Sequence, residues 1–423
     1  TWMYFLQPFL GDEKVWSYFR TIPVSYEPQM AMFSCFGLFA LCFGFYALKR
    51  KRRYKNLFNV NYNFSPNQIG RIIVFLIIAR LVLSNYQQFV DILGLTSILH
   101  LFDFTPTLVL ALMVLNYLRK GKNYWVYFIG SIYTLYEFFY FVAQTLFTYT
   151  ILVFLGAFVV YTIKTRKIPV TPSIILLMLL IPVYFTRMDY RINILDRWFE
   201  GKEMTRMEIA AEGAGNLVEI YSNFSFEDLI SGTGRRADGT LYSKMHKNRM
   251  EQVSYLGQTV YMHEINGWSY KYGETFWWLP LTPIPRLIIP FKPKNTMGTE
   301  LAEDYGLKGR FSRASMNFPI LVEGYINFGF IGIIIISFFQ GMSIRYIMYR
   351  VPFDRDDLNL FIFLSLIFYI YRIDSNITII YGAILQMLVF WYILLKFLPL
   401  GKKPVKQFPS IQDSQNKNLI NNT

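Results

Sequence analysis

Cysteine, histidine and charge are what this 423-residue chain has little of: two Cys, three His and 17% charged residues. Cys35 and Cys42 stand seven positions apart in one apolar segment, about 10 Å along a helix axis, too far to bridge. They read as small packing residues, and nothing points to a disulfide framework. His100, His246 and His263 lack the spacing of zinc ligands, and neither Asp12-Glu13 nor Asp91 and Asp103 makes an Asp-x-Asp metal motif. Gly232-Thr-Gly-Arg-Arg-Ala237 has no strand before it and no helix after it, so it reads as a turn rather than a dinucleotide fingerprint. Internal repeats are also missing, which argues against a transporter built from two inverted halves.

What is abundant is apolar and aromatic: 53% hydrophobic, 19% aromatic, with a positive mean hydropathy. That balance belongs to a polytopic membrane protein rather than a soluble globule. Segments of the length a helix needs to cross a hydrocarbon core of about 30 Å fall at about 30–48, 70–88, 101–118, 124–142, 144–163, 170–187, 317–344, 358–372 and 376–395. The expected fold class is all-α and polytopic, with about nine transmembrane helices and one large extracytoplasmic loop containing short helices. The opening Thr1-Trp-Met-Tyr4 carries neither an initiator Met nor a signal peptide. An upstream helix, and ten or more spans in the full protein, are therefore expected.

Basic residues set the orientation, because Lys and Arg are retained on the cytoplasmic side of short loops. Clusters follow the first, third, fifth, seventh and ninth segments: Lys49 to Lys55, Arg119 to Lys122, Lys164 to Lys167, Arg345 with Arg350, and Lys396 to Lys406. All five fall on one face. The expected organisation is an extracytoplasmic segment 1–28, membrane helices in 29–187, a large extracytoplasmic loop 188–316, membrane helices in 317–398 and a disordered cytoplasmic tail 399–423, Asn- and Gln-rich over 411–423. The net charge of +14 invites a nucleic-acid partner, but from Arg187 to Arg313 the loop holds 17 basic against 16 acidic residues. The excess sits in the cytoplasmic anchors, so the partner is the lipid bilayer and not a nucleic acid.

Within the loop, pattern predicts helices at about 189–200, 206–221 and 246–263, turns at Ser231 to Arg236, and a Pro-rich stretch at 280–293. Met250, Val253, Leu256, Val260 and Tyr261 recur at helical spacing, which predicts an amphipathic helix lying on the membrane or packed on other loop helices.

Arginine holds phosphate through a fork of donors that keeps its charge. The extracytoplasmic face carries Arg235, Arg236, Arg249, Arg286, Arg310, Arg313 and Arg372. Arg286 stands in Pro283-Ile-Pro-Arg-Leu-Ile-Ile-Pro-Phe-Lys-Pro293, where prolines pre-set the backbone and Lys292 adds a second cation. A surface loop carrying basic residues for solubility has the same look, and both readings stay open. Glu323 and Asn327 lie four apart on one helix face, and Gly324, Gly329 and Gly332 admit a close neighbour. A carboxylate so near hydrocarbon is costly, which favours function over local capping. Arg372 and Asp374 share the next outer turn, facing a cavity or the headgroups. Arg80, Asp91, Asp103 and Glu137 are the main charges inside the apolar segments. Trp268, Tyr270, Tyr272, Trp277 and Trp278 offer faces to sugar rings, or form an interfacial aromatic belt.

Taken together, Ile284-Pro-Arg286 with Lys292-Pro, then Glu323-Gly-x-x-x-Asn327-Phe-Gly-x-x-Gly332, then Arg372-x-Asp374 resemble the oligosaccharide repeat-unit polymerases of the Wzy type. The likeness covers the loop and the last three segments. The family's loose arginine-x10-glycine pattern is met by Arg313 and Gly324. The resemblance implies a bacterial inner-membrane glycosyltransferase with a periplasmic loop, acting in O-antigen, capsule or exopolysaccharide synthesis. A glycan on undecaprenyl diphosphate would be transferred to a second lipid-linked repeat unit, without cofactor or metal and with a chain-length regulator as partner. It would place Arg286 and Arg313 on the donor diphosphate, and Arg372 and Arg249 on diphosphate or second-lipid contacts. Glu323 or Asp374 would position or deprotonate the acceptor. Lys292, Asn327, Arg235, Arg236, Arg80, Tyr272 and Trp277 complete the expected substrate-binding set. An O-antigen ligase, acting on lipid A core and expected to use His246 or His263, and a flippase or transporter are the alternatives.

Overall fold

The computed structural model describes residues 27–48, 57–58, 62–85, 102–144, 147–183, 205–223, 233–235, 241–243, 247–282, 284, 289, 297–305, 318–370 and 375–397. Under each of the nine apolar segments lies a helix. These are α1 (Glu27–Ala47), α2 (Pro66–Asn85), α3 (Thr105–Leu118), α4 (Tyr124–Ala143), α5 (Phe147–Thr165), α6 (Val170–Val183), α10 (Ile320–Arg350), α11 (Asp357–Ile370) and α12 (Ile377–Phe397). Between α6 and α10 come α7 (Arg206–Asn223), α8 (Lys247–Glu264) and α9 (Met297–Asp304). A small antiparallel pair, β1 (Thr233–Arg235) and β2 (Leu241–Ser243), forms where only turns were expected. The expected helix at 189–200 lies outside the described residues.

The helix starts follow from local chemistry. Ser65 and Gln68 form a reciprocal capping box ahead of α2, as do Thr205 and Glu208 ahead of α7. Asp356 caps α11 through the Asn359 N–H at 3.0 Å, and Asn376 caps α12 through the Ile379 N–H at 2.8 Å.

Among the described residues, five helices, α1, α2, α4, α10 and α12, are long and apolar enough to cross a membrane. The other four apolar helices are shorter; α3 and α11 have 14 residues each, or about 21 Å of rise. α11 is apolar all round and buried along almost its whole length, so its partners are other helices rather than lipid. By contrast Phe39, Phe43, Trp125 and Leu177 point outward from α1, α4 and α6. An outward apolar shell of this kind suits hydrocarbon and not water. The architecture is that of a multi-pass helical membrane protein.

The helix ends sort into two poles. At one, the Leu57 N–H donates to the Arg350 carbonyl at 2.8 Å, and the Leu358 N–H donates to the Tyr62 carbonyl at 3.1 Å. There the buried Asp357 carboxylate meets Arg119, Lys164 at 3.0 Å and the Phe64 N–H at 2.9 Å. The C-terminal ends of α1, α3, α5 and α10 thus share a pole with the starts of α2 and α11. These are the ends that carry the first four basic clusters.

α10 departs from the expected straight helix. Phe328 (φ −142°, ψ 21°) and Gly329 (φ 62°, ψ −150°) break it, and the chain folds back. Residues eight apart in a straight helix are about 12 Å apart, yet a Cβ on Gly332 would fall 2.0 Å from the Gly324 carbonyl oxygen. The close neighbour that these glycines admit is therefore the helix itself. Beyond the bend, α10 lies against α1 with backbones in contact: a Cβ on Gly44 would meet the Phe338 carbonyl oxygen at 2.0 Å, and one on Gly341 the Leu41 oxygen at 1.9 Å. α8 buries Leu256 and Val260 against Leu301 and Tyr305 of the α9 segment, as expected of a loop helix, and also against Phe33 of α1 and Ile326 of α10.

Candidate functional site

Breaking a helix frees carbonyls that must find donors elsewhere. The loop strand after α8 supplies them. The Lys271 N–H donates to the Ile326 carbonyl at 3.0 Å and the Tyr272 N–H to the Asn327 carbonyl at 3.1 Å. Gly273 N–H donates to Asn327 Oδ1 at 2.8 Å, and Asn327 Nδ2 donates to Thr275 Oγ1 and to the Glu323 carbonyl, both at 2.8 Å. Thr275 Oγ1 in turn donates to Glu323 Oε1 at 2.7 Å, while the other carboxyl oxygen, Oε2, accepts from the Ile377 N–H. Glu323, Asn327 and Thr275 are all buried. The result is a clasp: one carboxyl joins the loop strand, the fold-back of α10 and the first turn of α12. A carboxyl facing the N-terminus of α12 is also favoured by the helix dipole.

Three cation-bearing segments leave this frame. Thr282, whose carbonyl accepts from Gln386 of α12 at 2.8 Å, stands four residues before Arg286. Phe318, fully buried against Tyr305, stands five residues after Arg313. Ser375 and Asn376, both buried at the start of α12, follow directly on Arg372 and Asp374. Arg286, Lys292, Arg313, Arg372, Asp374 and Arg236 themselves lie outside the described residues. Arg235 is placed on β1 and Arg249 in the first turn of α8, and neither side chain is described.

Tyr272 and Trp277 are 73% and 57% exposed beside the bend. Tyr272 holds φ 47°, a left-handed conformation that is strained for a bulky side chain. That conformation sits in the turn whose N–H groups bond the carbonyls freed by the bend. Trp268 and Tyr270 differ from them. Trp268, 38% exposed, lays its ring against Tyr305 at 5.0 Å, and Tyr270 lies against His263, whose Nδ1 hydrogen-bonds the Trp268 carbonyl and whose Nε2 pairs with the Tyr305 hydroxyl, each at 2.8 Å. Tyr270 stacks on the His263 ring at 4.7 Å. Burial lowers the His263 pKa and raises that of Tyr305. Both ring nitrogens of His263 are engaged, Nδ1 in closing the turn after α8 and Nε2 in tying α8 to the residue that follows α9.

Arg80 is not alone inside the bundle. Its Nη1 pairs with Asp103 at 3.0 Å, and nearby Arg206 of α7 pairs with Glu137 at 2.9 Å. Arg206 also donates to Ser84 Oγ at 2.6 Å and covers the Tyr140 ring at 4.0 Å. Arg206 was missed in the sequence, although its capping box marked where it would stand. No protein-family model, no curated protein and no solved structure matches this chain.

Proposed function

We propose that this chain is a nine-span membrane glycosyltransferase that polymerises undecaprenyl-diphosphate-linked oligosaccharide repeat units on the outer face of a bacterial inner membrane. The observation that carries the reading is the Glu323 clasp, which ties to one buried frame the segments that bear Arg286, Arg313 and Arg372. A departing diphosphate needs cations, and three arginine-bearing segments that start from one buried frame bring that residue type to one region of the chain. In this reading Arg286 and Arg313 hold the donor diphosphate, Arg372 and Arg249 touch diphosphate or the second lipid, and the strained, exposed Tyr272 with Trp277 offers ring faces to sugars. Glu323 has both carboxyl oxygens occupied by internal donors, so its role is positioning, and proton removal from the acceptor hydroxyl falls to Asp374. The basic pole is cytoplasmic, and the loop 188–316 is periplasmic. His263 is bonded at both nitrogens, so the histidine of the ligase alternative would be His246, which lies outside the described residues.

The test is polymerisation in vitro by the purified protein, given the undecaprenyl-diphosphate repeat unit of its own host and read as a glycan ladder. Wild type should give a ladder that Arg286→Ala and Arg313→Ala lose while remaining folded. No ladder from wild type on the cognate lipid overturns the reading, and the same preparation is then tested for ligation and for lipid translocation.

A further inference from the structure

A membrane helix of known direction is a ruler for the depth of whatever packs on it, and α12 serves as one. From Ile377 to Lys396 it is an apolar span of 20 residues with Lys396 at its basic end; its length of about 30 Å matches a hydrocarbon core. The loop strand after α8 does not stay above its outer end. Thr275 lies at that end, where its carbonyl accepts from Thr378 Oγ1 at 3.1 Å. Seven residues later Thr282 packs on Gly382, where a Cβ would meet its side chain at 3.1 Å, and its carbonyl accepts from Gln386 Nε2 at 2.8 Å. Gly382 and Gln386 stand about 8 and 14 Å along the axis from Ile377, so Thr282 is well inside the span. Phe276 and Leu279 pack against the same core as the membrane helices. Along α12 no residue from Ile377 to Leu388 is exposed, and outward residues begin at Val389, just past Gln386.

The segment's chemistry suits that depth. Lys271 and Glu274 pair at 3.7 Å at its upper end, and from Thr275 to Ile284 there is no charged residue. The N–H groups of Leu279, Leu281, Thr282 and Ile284 bond the carbonyls of Phe276, Trp278, Leu279 and Leu281 at 2.9–3.2 Å, and Pro280 and Pro283 have none. Thr282 Oγ1 likewise donates to the Leu279 carbonyl at 2.7 Å. A stretch of backbone with no free donor is what a hydrocarbon surrounding demands. The first part of α10 shows the chain at similar depth again. Leu321 reaches Gly37, about 15 Å along α1 from Glu27, at the level of Ile333 and Ser337. From there the helix climbs to the fold-back at Phe328 and Gly329.

From these observations we infer that residues 275–284 dip into the outer half of the bilayer as a re-entrant segment, and that their exposed side at Pro280 touches the chains of outer-leaflet lipids. Lipid rather than water is the occupant, because that side offers neither a charge nor a free backbone donor. Tyr272 and Trp277 stay nearer the outer end, where aromatic rings meet headgroups and sugars. The placement holds whatever the reaction; on the polymerase reading, a lipid-anchored substrate meets the dip from the side with its chain still in hydrocarbon.

The test uses the full-length protein in liposomes, with Cys35→Ala and Cys42→Ala removing the two free thiols. One cysteine at a time is then introduced and labelled with a small fluorophore. Pro280→Cys and Leu281→Cys lie in the dip, Glu274→Cys lies above it, and Phe39→Cys on the outward face of α1 is the membrane reference. A melting curve of each labelled protein against its parent ensures that only folded material is read. Lipids brominated along the chain should quench the labels at 280 and 39, and aqueous iodide should quench the label at 274 and lose its effect at 280. Should Pro280→Cys fail to fold, the label at 281 gives the same reading. Iodide quenching in the dip as strong as at 274 overturns the inference and means a water-filled recess. Quenching there by neither agent also overturns it and means a segment covered by protein.

Discussion

Replacing Glu323 separates a clasp from a catalytic base. Glu323→Ala leaves the Thr275 hydroxyl and the Ile377 N–H without an acceptor in a buried place. Each orphaned donor costs about 1–3 kcal/mol, and with the space left behind the loss sums to about 3–5 kcal/mol, among the larger effects of a single substitution. Glu323→Gln behaves differently. Its amide oxygen accepts from Ile377, and its amide NH2 donates to Thr275 Oγ1 once that hydroxyl turns away. What goes is the carboxyl's interaction with the N-terminus of α12, worth about 0.3–1 kcal/mol, and the acceptor of the buried Thr275 hydroxyl, worth about 1–3 kcal/mol. Thermal unfolding of the purified protein in detergent, read beside kcat, should give Glu323→Ala several degrees below wild type. Glu323→Gln should melt between the two, with kcat within about tenfold of wild type. A base would lose about 10²–10⁴ in rate on becoming an amide. Glu323→Gln with a native melting temperature and a rate in that range, or Glu323→Ala with undiminished stability, refutes the clasp.

Gly329→Ala should cost about 1–3 kcal/mol, because φ 62° with ψ −150° is essentially a glycine conformation and the new Cβ would meet the Tyr270 hydroxyl at 2.9 Å; thermal melting checks it. His263 has its pKa lowered by burial, so folding favours the neutral ring. Its contribution is complete above the unfolded value of about 6.5 and is lost as pH falls through that value toward the folded one; melting curves from pH 8 to pH 5 should show this slope in wild type and less of it in His263→Gln. Asp357→Ala removes the partner of Arg119, Lys164 and the Phe64 N–H and should cost about 3 kcal/mol or more, read as lower folded yield and melting temperature. Arg372→Ala should abolish the ladder while the protein stays folded, read from the gel beside a melting curve of the same preparation.

The apolar helices were legible because hydropathy acts without tertiary context, although five of the nine, and not all, are long enough to span a membrane. Arg119 and Lys164, read only as anchors of the same side, meet on one carboxylate, Asp357, which had no motif to announce it. Capping boxes at Ser65 and Thr205 were likewise written in the sequence. The fold-back of α10 was not, since Gly324, Gly329 and Gly332 state that something comes close without saying what. Only the loop strand at Lys271 to Thr275, more than fifty residues earlier, accounts for the carbonyls that the bend frees. Glu323 and Asn327 were found by spacing, but their partners lie in segments distant along the chain, so the clasp could not be read from them. Arg80, Asp103 and Glu137 stood out as charges in hydrocarbon, whereas Arg206, in a polar loop helix, looked like any solvated arginine.

The two polar centres differ in kind, and the difference predicts how each responds to change. Around Glu323, both carboxyl oxygens, the Asn327 amide and the Thr275 hydroxyl are bonded. A fully satisfied network in a low-dielectric interior is stiff, and its loss is felt as lost stability. Around Glu137 the charges are matched in two ion pairs, Arg80 with Asp103 and Arg206 with Glu137. Removing one partner of such a pair leaves the other as a buried charge. Substitutions at Thr275, Asn327 and Glu323 should therefore lower the melting temperature through lost hydrogen bonds, and Arg206→Ala through the charge left on Glu137. The two centres share one bundle because α11 runs between them. Phe368 and Tyr369 touch Phe104, next to the ion pair of Arg80, and the chain then passes through Arg372 to the turn that Glu323 holds.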